Sequence, residues 1–489
     1  MAPHHTATPP RHLAKRLLRP LSLGVALSLA LPLAGVSAAC SASEGAVSGR
    51  GPGGGTQGAA GIGDPDFPED GNGGYDAEHY DLALSYDPAS RRLSGTATLR
   101  ATAVQDLTSF DLDLHGLTVS RVTVDGAAAR FGRRADELTI SPATRIARNT
   151  KFEVTVAYAG VPDPIRNYAN LGTYGFIATQ DGSFVTCEPN GAKTWYPSND
   201  HPSDKATYGF TITVPAGVTA IANGELASPP STNDGRTTFV WQERHPMASY
   251  LATMTTGRFE TRTGKSAAGI PIYAAVDPAF HGSLDTLYTR TGQITDYWST
   301  VFGPYPFSST GAVVDDYAAG YALENQTKPI YGGFTPDSGV IAHELAHQWF
   351  GDSVSITRWK DLWLNEGFAT YAEWLWSEHE GGSTADTVFR NYYAKTADPM
   401  WGYPPGRAQR ADLFNGSVYT RGAMTLHALR RQIGDSAFFT LIKKWTATHQ
   451  YGNATTEQFI ALAQQTSGKD LSGLFDAWLF QPRRPAPVT

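Results

Sequence analysis

The chain has 489 residues, a formal net charge of -7 at pH 7, 41% hydrophobic residues and 11% aromatic ones. That length suggests about three domains, and the composition is that of a well-packed globular protein. The charge supplies no polycation for nucleic acid or for an acidic membrane surface, and neither charge blocks nor internal repeats interrupt the sequence.

Residues 1–40 read as an export signal. Arg11, Lys15, Arg16 and Arg19 form a basic stretch, and "PLSLGVALSLALPLAGVSAAC" is an apolar run ending in small residues. As a membrane span the run is short and interrupted by Pro32. It ends in Ala-Ala-Cys at Cys40 and resembles a bacterial lipoprotein box, with Ser37 where an aliphatic residue is usual. Lipidation of Cys40 is expected in preference to simple cleavage after an Ala-x-Ala site, and acyl chains there would hold the protein to the outer face of the cell membrane. Residues 41–74, with "GRGPGGGTQGAAGIG", are rich in Gly, Ser and Ala and are expected to be a disordered tether. The only other cysteine is Cys187. No disulfide is therefore expected in the mature chain, and stability must come from core burial.

Residues 75–262 read as β throughout. "HYDLALSYDP", "LSGTATLRATAV", "KFEVTVAYAG" and "ATYGFTITVP" alternate apolar and polar positions between Gly, Pro, Asn and Asp breaks. Many short strands at that spacing predict a sandwich or a wide curved sheet. From 263 to 489 the character changes. "GSLDTLYTRTGQITDYWSTVFG", "SGVIAHELAHQWFG", "KDLWLNEGFATYAEWLWSEHEGG" and "YTRGAMTLHALRRQIG" carry helical periodicity with Gly near their ends, and "TGAVVDD" is β-like. The second domain is predicted to be α-rich with a small sheet.

Within it, "HELAHQWFGD" sets His343 and His347 four residues apart, on one face of a helix and able to grip one metal ion. Glu344 lies beside them, close to the metal without ligating it. Glu366, in "WLNEGFATY", follows His347 by nineteen residues on a second predicted helix. Two histidines and a carboxylate leave a fourth position open, the arrangement of a catalytic Zn2+ ion rather than a structural one. Glu344 is then the expected general base, passing a proton from water to the leaving amine. Glu373 is the candidate to hold a ligand histidine, the alternative being a plain helix-surface acid. Upstream, "GYALENQTKPIY" places Glu324 among apolar and aromatic neighbours.

Together, HExxH, the later Glu in "NEG" and the upstream "ALEN" resemble the zinc aminopeptidase family typified by aminopeptidase N, gluzincin metallopeptidases that include the leukotriene-hydrolase branch. The likeness extends over nearly all of 75–489, through "LSGTATL", "CEPNGAKTWYPSNDHPSDKATY" and "SVYTRGAMTLHALRRQIGD". It implies a multi-domain fold: an N-terminal all-β, saddle-like sandwich (75–262) followed by an α-rich, thermolysin-like (α+β) zinc metallopeptidase domain (263–489). It also implies roles. Glu324 matches the acid of a Gly-x-Met-Glu-Asn motif that binds a substrate's free α-amino group, and Glu188 a second amine-binding residue from the β-domain. Tyr419 matches a tyrosine that hydrogen-bonds the oxyanion. Gly320, Tyr321, Ala322, Leu323 and Asn325 form the stretch along which a peptide would lie as an added strand.

Departures stand out in the same stretch: Tyr321 replaces the motif's first Gly and Leu323 its Met, while Gly351-Asp352 replaces a usual Gly-Asn. The chain also stops soon after "FDAWLFQPRRP", where larger relatives continue into a long helical domain, so a more open site is expected. The expected partners are peptides with a free N-terminus, with no nucleic acid and with a membrane only through the N-terminal signal or lipid; oligomeric state is left open. The competing readings are a zinc metalloendopeptidase without an amine requirement, a non-catalytic surface binding protein on the same scaffold, and an epoxide hydrolase.

Overall fold

In a computed structural model, residues 55–168 and 171–486 are described; the export signal, Cys40 and the stretch 41–54 lie outside them. Alternation in the first half becomes one nine-stranded sheet. Its middle runs Arg236–Ala248, Lys205–Pro215, Tyr75–Asp87, Arg92–Ala103, Lys151–Gly160 and Thr118–Val124. Neighbours are antiparallel except Lys205–Pro215 and Tyr75–Asp87, which run parallel. Along Tyr75–Asp87 the side chains of Tyr80, Leu82, Leu84 and Tyr86 alternate into the core.

Two smaller sheets cover that face. One contains Leu107–Asp113 and Glu137–Ser141, and its Phe110 meets Tyr75 at 5.7 Å and Phe152 at 5.2 Å. The other is ordered Ile165–Tyr168, Gly172–Ala178, Ser183–Thr186, Met254–Gly257, Thr219–Ala222. Its Phe176 packs edge-on to Tyr86 at 5.0 Å.

The second half is built on a five-stranded sheet ordered Glu260–Lys265, Pro271–Val276, Thr310–Asp315, Ile330–Gly332, Ala322–Leu323. The boundary expected at 262/263 falls inside the first of these strands. Glu260–Lys265 pairs with Pro271–Val276, so it belongs to the second domain's sheet, and the change of domain comes just before it. The principal helices are α1 (Leu284–Val301), α2 (Ser338–Ala346), α3 (Trp363–His379), α4 (Ala385–Tyr393), α5 (Gly422–Ile433), α6 (Asp435–Thr448) and α7 (Thr456–Ser467). Trp298 of α1 donates its indole N–H to the Ala342 carbonyl of α2 at 3.1 Å, and Phe350 stacks on Phe368 of α3 at 4.3 Å. These contacts fix the two helices that carry the metal-binding candidates.

The tether expected over 41–74 is corrected over its described part. Thr56–Gln57 pairs with Leu107–Asp113. Phe67 is fully buried and lies 5.8 Å from Trp359. Asp64 accepts the Trp359 N–H at 3.0 Å, Asp70 pairs with Lys193 at 2.8 Å, and Asn72 donates to Asp113 at 3.0 Å. A composition poor in aliphatic residues hid a segment held mainly by buried, charge-assisted hydrogen bonds, which composition does not register. Among the described residues no helix is long and apolar enough to cross a membrane.

Candidate active site and metal centre

Asp337 caps α2 by accepting the N–H groups of Gly339 and Val340. One turn apart at its far end, His343 and His347 bring their rings to 4.9 Å. Glu366, in the first turn of α3, aims Oε2 at both: 3.2 Å from Nε2 of His343 and 3.5 Å from Nε2 of His347. The opposite nitrogens are held. Nδ1 of His343 donates to Oε1 of Glu373 at 2.7 Å, and Nδ1 of His347 to the Phe350 carbonyl at 3.0 Å. Each Nδ1 proton is thereby fixed, and the two Nε2 atoms face one carboxylate oxygen.

The ligand atoms of His343, His347 and Glu366 all lie within 4.8 Å of one another. Two imidazoles and a carboxylate, buried and converging with their outer partners in place, fit zinc. Electrostatics agree. Burial works to raise the Glu366 carboxyl, but hydrogen bonds and charge from the two histidines hold it well below the usual carboxylate range. Burial likewise disfavours a charged His343, yet its bonds to Glu366 and Glu373 push it well above the ordinary imidazole value. A bound cation would take the place of those protons.

Glu344 points from α2 into the same volume and is 6% exposed. Burial pushes it up to about 8, with His343 and His347 pulling the other way. Glu324 is 2% exposed. Oxygens of Glu324 and Glu344 and a ring nitrogen of His347 fall within 4.8 Å of one another, so the pocket holds one acid beyond those needed for a ligand and a base. Glu324 follows the edge strand Ala322–Leu323, which pairs with Ile330–Gly332 on one side and, among the described residues, has no strand on the other. At the head of this stretch Gly320 is exposed with φ +73°, a conformation suited to glycine. Tyr321 and Ala322 are half-buried, while Leu323 and Asn325 are buried.

Glu188, buried just beyond Ser183–Thr186, comes from the β-domain. Burial first, then the charges of Glu324 and Glu188, raise the Tyr250 phenol well above its ordinary value. Tyr419 sits in a π-helical turn, Ser417–Arg421, that leads into α5. Its ring lies parallel to that of His343 at 6.3 Å. Two features bring it there. Gly422 and Gly367 let α5 and α3 touch, since a Cβ on Gly422 would lie 2.9 Å from the Gly367 Cα. Buried Arg421 donates to the carbonyls of Trp478, Trp401 and Ala477 at 2.9–3.0 Å.

The structure thus brings together His343, His347, Glu366, Glu344, Glu373, Glu324 and Tyr419, with Glu188 of the β-domain buried and its charge acting on Tyr250 and Tyr419. It also adds residues that the sequence reading lacks. Tyr250 donates to Oε1 of Glu324 at 3.4 Å, and Gln348 donates to the Glu324 carbonyl at 3.2 Å. Gln348 lies next to His347 within the quoted zinc motif, a hint available in the sequence. Tyr250 carries no local signal.

The chain is similar to known proteins in sequence and in fold. The peptidase M1 N-terminal domain model matches residues 76–251, and the peptidase family M1 domain model matches 336–478. An M1 zinc metallopeptidase from Deinococcus radiodurans superposes with a TM-score of 0.81 at 30% identity, covering 88% of this chain and 99% of that one. A mutant of that enzyme bound to a Tyr-Ser-Ala substrate gives 0.82 at 29% identity, with the same coverage of 88% and 99%. Aminopeptidase N of Streptomyces lividans is 28% identical over 440 residues, 83% of this chain and 50% of the relative. Aminopeptidase M1 of Arabidopsis thaliana is 26% identical over 447 residues, again 83% and 50%. The chain spans about half the length of the curated relatives it matches. It belongs to peptidase family M1, the zinc metallopeptidases, and zinc is its cofactor.

Proposed function

We propose that the protein is a zinc aminopeptidase that removes the N-terminal residue of peptides. One observation carries this reading: the extra buried carboxylate, Glu324, beside Glu344 and His347 at the end of an open strand edge. A metallopeptidase needs a ligand acid and a base; a third acid in the pocket suits a cationic group on the substrate. Glu188 and Glu324 would bind the α-ammonium by charge-assisted hydrogen bonds and so set how far the cleaved bond lies from the chain end. The peptide would extend along 320–323 as an added strand. The relatives named aminopeptidase, and the neighbour holding a Tyr-Ser-Ala substrate, support the same substrate class.

His343, His347 and Glu366 would hold the zinc, which when bound polarises a carbonyl and lowers the pKa of a water. Glu344 takes a proton from the attacking water and delivers it to the departing nitrogen, so that the C–N bond breaks and a free amine leaves. The Tyr419 hydroxyl donates to the oxygen of the attacked carbonyl as negative charge gathers there. Glu373 and the Phe350 carbonyl keep the ligand imidazoles oriented. A fluorogenic panel of aminoacyl amides tests the reading. Hydrolysis is expected to vanish with a chelator and return with zinc; hydrolysis indifferent to the chelator, or none with any member, would contradict it.

We also propose export and lipid attachment through Cys40. The support is the basic and apolar order of 1–40 and its Ala-Ala-Cys ending. Cys40→Ser is expected to release the protein from the membrane fraction into the medium, and unchanged membrane retention would contradict lipidation at this residue.

A further inference from the structure

Tyr321 occupies the position where the resembled motif has glycine, and its side chain does something no glycine could. It leaves the edge stretch of the second domain and reaches the β-domain. Its hydroxyl donates to the Thr173 carbonyl at 2.8 Å and lies 2.8 Å from Oγ1 of Thr186, whose proton is free to complete the pair. Thr173 and Thr186 belong to two paired strands, Gly172–Ala178 and Ser183–Thr186. The phenyl ring approaches Phe184 edge-on at 6.3 Å, and Tyr317 meets Phe184 from the same stretch at 5.3 Å. Burial pushes the phenol above its ordinary range, so it stays protonated and able to donate.

Position gives this contact its consequence. Thr186 precedes Glu188 by two residues, and Tyr321 precedes Glu324 by three. One buried hydroxyl therefore ties together the two short segments that deliver the acids, one from each domain. Ala322–Leu323 is a two-residue edge strand, paired on one side and entered through Gly320. Beyond it the chain is held by the Gln348 bond to the Glu324 carbonyl and by the Asn325 amide donating to the Val185 carbonyl at 3.4 Å. The Tyr321 hydroxyl adds the hold on the near side of Glu324, where the strand is short. Displacement along its own axis would move Glu324 relative both to Glu188 and to the zinc ligands on α2 and α3.

We infer that Tyr321 is a positioning residue that sets the distance between the bound α-ammonium and the cleaved bond, through its hydroxyl contacts with Thr173 and Thr186. This rests on the aminopeptidase reading. It makes Tyr321 a determinant of selectivity for α-amino over longer-spaced amino termini.

The test compares kcat/KM for alanyl p-nitroanilide and β-alanyl p-nitroanilide, the second carrying one more methylene between amine and carbonyl, on the zinc-loaded full chain. Tyr321→Phe removes only the hydroxyl. It is expected to lower the alanyl to β-alanyl ratio by about tenfold, the scale of one or two hydrogen bonds, mainly through a higher KM for the alanyl substrate. Zinc content should stay unchanged. Thr186→Val removes a partner hydroxyl from the other domain with little change of shape and is expected to shift the ratio the same way, which covers failure of Tyr321→Phe to fold. A merely structural role would lower both substrates in parallel. A ratio within about twofold of wild type in the variants that fold would overturn the inference. Wild-type enzyme that cleaves alanyl and N-acetylalanyl p-nitroanilide equally would instead overturn the aminopeptidase reading beneath it.

Discussion

Glu344→Gln is expected to keep its zinc and lose turnover. His343, His347 and Glu366 are untouched by the change, and their ligand atoms already converge within 4.8 Å. Glutamine has nearly the shape of glutamate, so the buried pocket keeps its packing. What disappears is the only buried carboxylate on α2 placed to move a proton: an amide neither takes one from water nor returns it to a departing nitrogen. Removing a general acid–base typically costs about 10²–10⁴-fold, and here one group performs both transfers, so a fall in kcat of at least about a thousandfold is expected. Steady-state kinetics with an aminoacyl amide, alongside metal analysis of the same sample, measures both halves. Full metal with full activity would refute the base assignment.

Glu324→Ala should act differently, on selectivity as well as on rate. Glu324 is nearly inaccessible, so an ammonium bound there has given up its water. Truncating one acid leaves that ammonium to Glu188 alone. Loss of one partner of a buried charge pair typically costs about 2–5 kcal/mol, roughly thirty- to several-thousand-fold in kcat/KM. The loss should fall on substrates with a free amine. Slow cleavage of an N-acetylated analogue, which never used the acid, should change little. A variant with wild-type kcat/KM on free-amine substrates would show that Glu324 does not bind the amine.

Legibility in the sequence followed the range of the interactions. His343 and His347 are related by helix geometry within one turn, and Glu366 and Glu373 lie one heptad apart on the next helix, so local periodicity placed all four on facing surfaces. The β-then-α division was equally plain, because alternation of period two and helical spacing are local properties. Three features were not legible, each for its own reason. The 55–74 arm has the composition of a tether, and only its partners Trp359, Lys193 and Asp113, far away in the chain, reveal why Asp64, Phe67, Asp70 and Asn72 are there. Glu260–Lys265 has the exposed, polar pattern of a hairpin edge, and only its pairing assigns it to the second domain. Tyr321 was visible as an oddity in its motif, but its partners, Thr173 and Thr186, lie over a hundred residues upstream.

Glu324 lies beside the ligand His347 and Glu188 is buried in the β-domain; in the proposed function these two acids make the peptidase read a free amino terminus. The most direct measurement incubates one short peptide, with a free or an acetylated N-terminus, with the zinc-loaded enzyme and identifies the products by mass. The expected result is stepwise release of single N-terminal residues from the free peptide, with the acetylated peptide left essentially intact. Equal rates on the two peptides, or cleavage at internal bonds in both, would contradict it.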